Sequence, residues 1–274
     1  MKKLSSSEIK KFQKTIYDFY RENRRDFAWR RTTNPYRILV SEIMLQQTQT
    51  ERVKTKYVEF LKAFPNFKSL AEAPLHKLLS VWQGMGYNRR ALSLQHTAQR
   101  IMNEFKGKLP SDPTILVTLK GIGLNTAGSI AAFAFNSPAI FIETNIRTVF
   151  IHYFFPNKKE VLDDELLPLI EQTLDTTNPR EWYYALMDYG VQLKKLYKNP
   201  SRRSKHHTKQ SKFEGSDRQI RGAILKMVLK KQNIPYQGLY KLLHQFEKGR
   251  IKRILTQLLQ EGFIKREGSY ISVA

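Results

Sequence analysis

A mainly α-helical chain with a small winged-helix-like domain at its C-terminus is predicted by three features. Apolar residues recur at helical spacing over most of the 274 residues. A glycine hairpin, Leu119-Lys120-Gly121-Ile122-Gly123-Leu124, joins two helical stretches near residue 120. Beyond a basic run from Lys194 to Lys212, three helical patterns are followed by two short alternating strands.

Element by element, Ser5 to Ser7 offer an N-cap to a helix whose Ile9, Phe12, Ile16 and Tyr20 share one face. Pro35 opens the next helix, with Tyr36, Leu39, Val40, Ile43 and Met44 as its apolar side. Val53, Tyr57, Phe60 and Leu61 form a third stripe before Phe64-Pro65. Leu70 to Trp82 reads as one helix closed by Gly84-Met85-Gly86, and Leu92 to Phe105 as another, ending at Lys106-Gly107. Thr114–Leu119 and Asn125–Phe135 flank the hairpin, and Ile146, Val149, Phe150 and Tyr153 mark a further helix that Asn145 can cap. No strand alternation is evident before the C-terminus.

Composition narrows the partner. Lys and Arg number 47 against 24 Asp and Glu, a formal charge of +23, which points to a polyanion and first to nucleic acid. The chain has no cysteine, which excludes disulfides, thiolate nucleophiles and cysteine-ligated clusters. The basic N-terminus lacks an apolar stretch after it, so a signal peptide is not expected, and no run is long enough to cross a bilayer. A cytoplasmic, nucleoid-associated monomer that makes no membrane contact is expected.

Three stretches carry chemistry. Ser41-Glu42-Ile43-Met44-Leu45-Gln46-Gln47-Thr48-Gln49 puts one acid in an otherwise apolar helix. Such surroundings raise a carboxyl pKa and suit a general acid near neutral pH, although most helical glutamates are surface residues. Gly121 and Gly123 permit a tight turn and bring backbone amides, with Thr126 in the first turn of the following helix, close to a phosphate. That contact would position a duplex without reading its sequence. Glu143, in Ile142-Glu143-Thr144-Asn145-Ile146, is a second isolated acid, and a helix-start acid favoured by the dipole is its plainer reading.

These motifs resemble the helix-hairpin-helix DNA glycosylase superfamily, on the endonuclease III and MutY-type adenine glycosylase branch. The likeness runs from about Phe12 to Tyr197. It rests on Trp29-Arg30, Pro35-Tyr36, the Ser41–Gln49 stretch, Gly84-Met85-Gly86-Tyr87, Gly121-Ile122-Gly123 and Met187-Asp188-Tyr189-Gly190. It implies a two-lobed helical fold over residues 1–193; composition and patterning beyond it give a basic loop over 194–215 and the winged-helix-like domain over 216–274.

The resemblance also implies roles. Glu42 would protonate the leaving base, while Glu143, with Asn145 beside it, would stabilise the oxocarbenium sugar or activate water. Arg25, Trp29 and Arg30 fall where the family orients the acid or meets the flipped nucleotide, although for the two arginines plain backbone binding is nearly as good a reading. Gln46, Gln47 and Tyr87 fall where it fills the stack or probes the opposite base, and packing alone would equally account for Tyr87. Asn125 occupies the position of the lysine that forms a Schiff base in bifunctional relatives, so no strong lyase step is expected.

Four departures stand out. Glu143 replaces the family aspartate. The four cluster cysteines are missing, so no iron–sulfur cofactor and no metal is expected, His206-His207 included. Arg202, Arg203 and Lys205 in the basic loop are candidate DNA contacts. No MutY-type lesion-reading domain is expected, and Lys248, Arg250, Lys252 and Arg253 on the third C-terminal helix suggest groove binding instead, against a helical dimerisation domain. The implied activity is monofunctional removal of a mismatched or damaged base from double-stranded DNA, adenine opposite 8-oxoguanine or guanine first. A uracil/thymine mismatch or other damaged-base glycosylase, and a non-catalytic DNA-binding derivative, are the alternatives.

Overall fold

The computed structural model describes residues 3–231 and 233–274. The chain forms α1 (Ser6–Asn23), α2 (Pro35–Leu45), α3 (Thr50–Ala63), α4 (Phe67–Ala71), α5 (Leu75–Trp82), α6 (Arg89–Glu104) and α7 (Pro113–Leu116). It continues with α8 (Leu124–Phe135), α9 (Thr144–Phe154), α10 (Asp163–Thr173) and α11 (Pro179–Leu196). The C-terminal part adds α12 (Asp217–Lys231), β1 (Ile234–Pro235), α13 (Tyr236–Leu242), α14 (Lys248–Gln260), β2 (Ile264–Glu267) and β3 (Tyr270–Val273).

Local chemistry sets many of these limits. Ser5 caps α1 in a reciprocal box with Glu8. The single helix expected over Leu70–Trp82 is two, α4 and α5, because Pro74 cannot continue a helix begun at Phe67. Asp112 caps α7, whose first residue is Pro113. Glu143 caps α9 with its side chain, the place expected for Asn145.

Two compact units result, and each is discontinuous in sequence: Met1–Ile43 with Lys108–Lys209, and Met44–Gly107 with Gln210–Ala274. In the first, Phe12 of α1 meets Phe150, Tyr153 and Phe154 of α9 and Trp182 of α11, with ring centroids 5.2–5.9 Å apart. Helices α9 and α11 approach so closely that a Cβ on Gly190 would lie 2.3 Å from the carbonyl oxygen of Asn145. Only glycine fits there.

In the second unit the C-terminal helices share a core with the lobe. Ile220, Ile224, Val228, Ile251, Ile254 and Leu258 are buried together with Leu79, and Leu75 and Leu92 pack against them. Strand β3 lies between β1 and β2, antiparallel to both, with Ile271 opposite Ile234 and Arg266. The strand β1 was not evident in the sequence, because two residues are too few to show alternation.

Candidate active site

Helix α2 is buried on nearly every side: Tyr36, Ile38, Leu39, Val40, Ser41, Ile43 and Met44 are all inaccessible. Glu42 is its only acid. Burial pushes its carboxyl up to about 7; the Ser129 hydrogen bond opposes that rise, Glu143's charge adds to it, and Arg30 draws it down again.

Ser129, on α8, lies with Oγ 2.6 Å from Glu42 Oε2 and 3.0 Å from the Thr126 carbonyl oxygen. Its hydroxyl has one proton and two acceptors in reach. It donates to Glu42 when the acid is ionised. When Glu42 is protonated, Ser129 can accept from it and donate to Thr126 instead. The acid is therefore served in both states.

Glu143 is fixed by the start of α9. Its Oε1 accepts from the amides of Asn145 (2.8 Å) and Ile146 (3.0 Å), and its Oε2 from Asn145 Nδ2 at 3.1 Å. Asn145 Oδ1 accepts in turn from Lys194 Nζ at 2.7 Å. That bond settles which end of the amide faces the carboxylate. Burial lowers the Lys194 pKa, Glu143's charge resists, and Arg25's charge lowers it further. Lys194 belongs to the last turn of α11, not to the expected loop. Sequence reading missed it because it stands first in a run of basic residues.

Arg25 and Arg30 converge on Asp188, whose side chain is 1% exposed. Arg25 donates through its backbone N–H (2.8 Å) and Nε (2.6 Å); Arg30 donates through both terminal nitrogens, at 2.8 and 2.9 Å. Arg30 also lies 4.5 Å above the Tyr184 ring. The Arg30 side chain is buried, and its charge acts on Glu42. Trp29 is buried and stacked on Phe27 at 4.8 Å, so it floors this arrangement. The Tyr184 hydroxyl is buried and has no hydrogen-bond partner among the described residues. Burial holds its pKa well above the usual tyrosine range, and Glu42's charge adds to the effect.

The hairpin has the expected geometry. Gly121 takes φ +85°, and Gly123 begins α8 without any side-chain cap. Ile122 is buried and Leu124 is 81% exposed. The Asn125 side chain accepts the Ile142 amide at 3.0 Å, so it ties the segment before Glu143 to α8. Gly128, one turn on, leaves room for Phe141, whose Cβ would lie 2.7 Å from an added methyl.

The basic segment is more ordered than a loop. Pro200–Arg203 forms a 3-10 turn with Ser201 and Ser204 buried. Arg203 donates to the carbonyls of Pro156 and Lys158 at 2.9 Å, to that of Phe155, and to that of Ile151 at 3.4 Å. It clamps the C-terminus of α9, where the dipole favours a cation, and its guanidinium is not free for DNA as expected. Arg202 and Lys205 remain exposed. His206 approaches Asp163 at 4.0 Å, and among the described residues no group of three or more His, Cys, Asp or Glu side chains could hold a metal.

In the second unit, Gln47 and Tyr87 both adopt left-handed backbone, φ +54° and +47°. The half-buried Arg90 joins their loops. It donates to the carbonyls of Met44 (2.9 Å) and Gln46, to Thr48 Oγ1 (2.9 Å), and to the Met85 and Gly86 carbonyls at 3.3 Å. Burial draws its pKa down to about 10. On α14, Lys248 and Lys252 are exposed, but Arg250 and Arg253 are each 2.7 Å from Asp217. Two of the four expected basic residues are thereby shared with one carboxylate, which offsets a single charge of that face.

Comparison with known proteins agrees with this fold. Residues 40–171 match the HhH-GPD superfamily base excision DNA repair protein model. The chain is 36% identical over 182 residues to the adenine DNA glycosylase of Buchnera aphidicola subsp. Baizongia pistaciae, covering 66% of this chain and 52% of that protein. It is 28% identical over 190 residues to the thymine/uracil-DNA glycosylase of Methanothermobacter thermautotrophicus, covering 68% of this chain and 86% of that one. Among solved structures, a thermostable thymine-DNA glycosylase superposes with a TM-score of 0.60 at 27% identity, over 67% of this chain and 86% of the other. The chain thus spans about half the length of the adenine DNA glycosylases that it matches.

Proposed function

Since residues 40–171 match the HhH-GPD superfamily base excision DNA repair protein model, we propose that the chain is a DNA N-glycosylase that hydrolyses the bond between a mismatched base and its sugar. The observation that carries this reading is Glu42: an acid in a buried helix, with its pKa near 7 and Ser129 able to serve either protonation state. At neutral pH a large share of Glu42 holds its proton, which it gives to the departing base. Glu143 remains an oxygen pair fixed by α9 and meets the cationic sugar, or takes a proton from attacking water. Asn145, oriented by Lys194, keeps one carboxylate oxygen directed. The chemistry draws on no cofactor or metal.

Double-stranded DNA is the partner this reading requires, and the charge of +23 suits it. Gly121, Gly123 and the first turn of α8 would take a phosphate, with Arg202 and Lys205 as further contacts. Adenine opposite 8-oxoguanine or guanine is the favoured target, supported by the adenine glycosylase relatives and by Gln46-Gln47. A second reading, removal of thymine or uracil, is favoured by the relative matched over 86% of its length. Without an amine at Asn125 the enzyme would act by water alone, and borohydride trapping of a protein–DNA adduct would overturn that point.

Duplexes carrying A:8-oxoG, A:G, T:G, U:G and hypoxanthine decide the matter under single turnover. Abasic sites from the adenine duplexes are expected, and Glu42→Gln and Glu143→Gln should each abolish them with duplex affinity kept. Release from the pyrimidine duplexes alone selects the second reading. No release from any duplex ends the enzymatic one and leaves a DNA-binding protein.

A further inference from the structure

Tyr87 is an aromatic residue in backbone that aromatic residues avoid. Its φ of +47° follows Gly84 and Gly86 at +86° and +69°, and such a conformation persists only where surrounding contacts hold it. Some of the hold is local: Trp82 Nε1 donates to the Gly86 carbonyl at 3.1 Å, and the Tyr87 carbonyl accepts the Arg90 amide at 2.9 Å.

The rest comes from more than a hundred positions away. The Tyr87 hydroxyl accepts from Arg218 Nη1 at 3.1 Å and from Gln210 Nε2. The Arg218 guanidinium lies 5.9 Å from the ring centroid, and that of Arg90 5.3 Å. Arg218 is itself held, donating to the Ser211 carbonyl at 2.6 Å from the first turn of α12. Helix α12 is fixed by the core it shares with Leu79, and Arg221 and Arg89 both pair with Glu261. Tyr87 is therefore tethered at its backbone by the helical lobe and at its hydroxyl by the C-terminal domain.

We infer that Arg218 and Gln210 are positioning residues for the Tyr87 ring, so that the C-terminal domain sets how the chain meets the base left opposite the excised one. The inference rests on the reading of Tyr87 as the residue that probes that base. Opposite-base preference would then pass through two hydrogen bonds to one phenol. The ring's direction is thus adjustable from α12 without any change in the loop that carries it.

The test uses the full chain and duplexes with a tetrahydrofuran abasic analogue opposite 2-aminopurine, whose fluorescence reports unstacking without catalysis. Wild type should raise the fluorescence, and Tyr87→Ala should lose that rise. Tyr87→Phe and Arg218→Ala should each reduce it, and Arg218→Lys should restore most of it. In single-turnover release, Arg218→Ala and Tyr87→Phe should each narrow the ratio between preferred and disfavoured opposite bases by roughly tenfold, the scale of a lost charge-assisted hydrogen bond. Their combination should add nothing further. Gln210→Ala, with no charge removed, guards against simple misfolding of Arg218→Ala.

Unchanged fluorescence and unchanged ratio in Arg218→Ala and Tyr87→Phe would overturn the inference. So would an equal loss on every duplex, or a Tyr87→Ala signal like that of wild type. If no duplex loses a base yet the fluorescence responses follow this order, the glycosylase reading fails and the positioning role stands.

Discussion

Glu42 links reactivity to stability with a definite sign. Its carboxyl titrates near 7 in the folded chain, against 4.5 in an ordinary setting. Below 4.5 both folded and unfolded chains hold the proton; between 4.5 and 7 only the folded chain does, so stability falls as pH rises through that window. Glu42→Gln should therefore raise the melting temperature by several degrees at pH 8, from about 2–3 kcal/mol, and hardly at all at pH 4.5. Equal melting shifts at both pH values would contradict this. Base release by the wild type should decline as pH climbs through 7. Lys194 acts one bond further out. Lys194→Met leaves the Asn145 amide free to turn, and we expect single-turnover release to drop about tenfold with duplex affinity within threefold; Lys194→Arg should recover part of it. An unchanged rate would make the lysine merely structural. Glu42 was legible because an acid stood out in an apolar helix. Lys194, Ser129 and Asp188 were not, because a basic run, a serine among alanines and an acid after methionine carry no local signal of what they meet.

At the scale of elements, the helices flanking Glu143 depend on a missing side chain. Gly190→Ala sets a methyl 2.3 Å from the Asn145 carbonyl oxygen, so α9 and α11 must separate, at about 3 kcal/mol. Gly222→Ala, on α12 with open space around it, should instead stabilise by about 0.5–1 kcal/mol. Chemical denaturation of both variants checks the pair, and equal effects would refute the close-packing argument. Helical periodicity made most helices readable in sequence, and the hairpin too, since glycine spacing is itself the geometry. Boundaries failed where a short-range rule intervened: Pro74 divides α4 from α5, and Glu143 takes the cap that Asn145 was expected to fill. The segment 199–205 was read from its charge alone, and charge says nothing about which carbonyls a guanidinium will find.

Over the whole molecule, linear boundaries at 193 and 215 conceal how the chain is assembled. Each compact unit is closed by a segment far away in sequence, and periodicity carries no information on such pairings. A chain ending at residue 215 should expose Leu75, Leu79 and Leu92, which the C-terminal helices cover. We expect it to melt well below the full chain and to bind an apolar dye, and a truncation as stable as the whole would show the C-terminal domain to be a mere appendage. The overall charge was legible at once and pointed to a polyanion, but not its distribution: Arg203, Arg250, Arg253, Arg25 and Arg30 are all spent on the protein's own acids and carbonyls.

The Arg203 clamp has a consequence for where such a chain can work. Four backbone carbonyls at the end of α9 and just beyond it, and one guanidinium from the turn after α11, hold those two stretches together, and none of those groups is altered by oxygen, peroxide or a chelator. That contact thus holds equally under reducing and oxidising conditions.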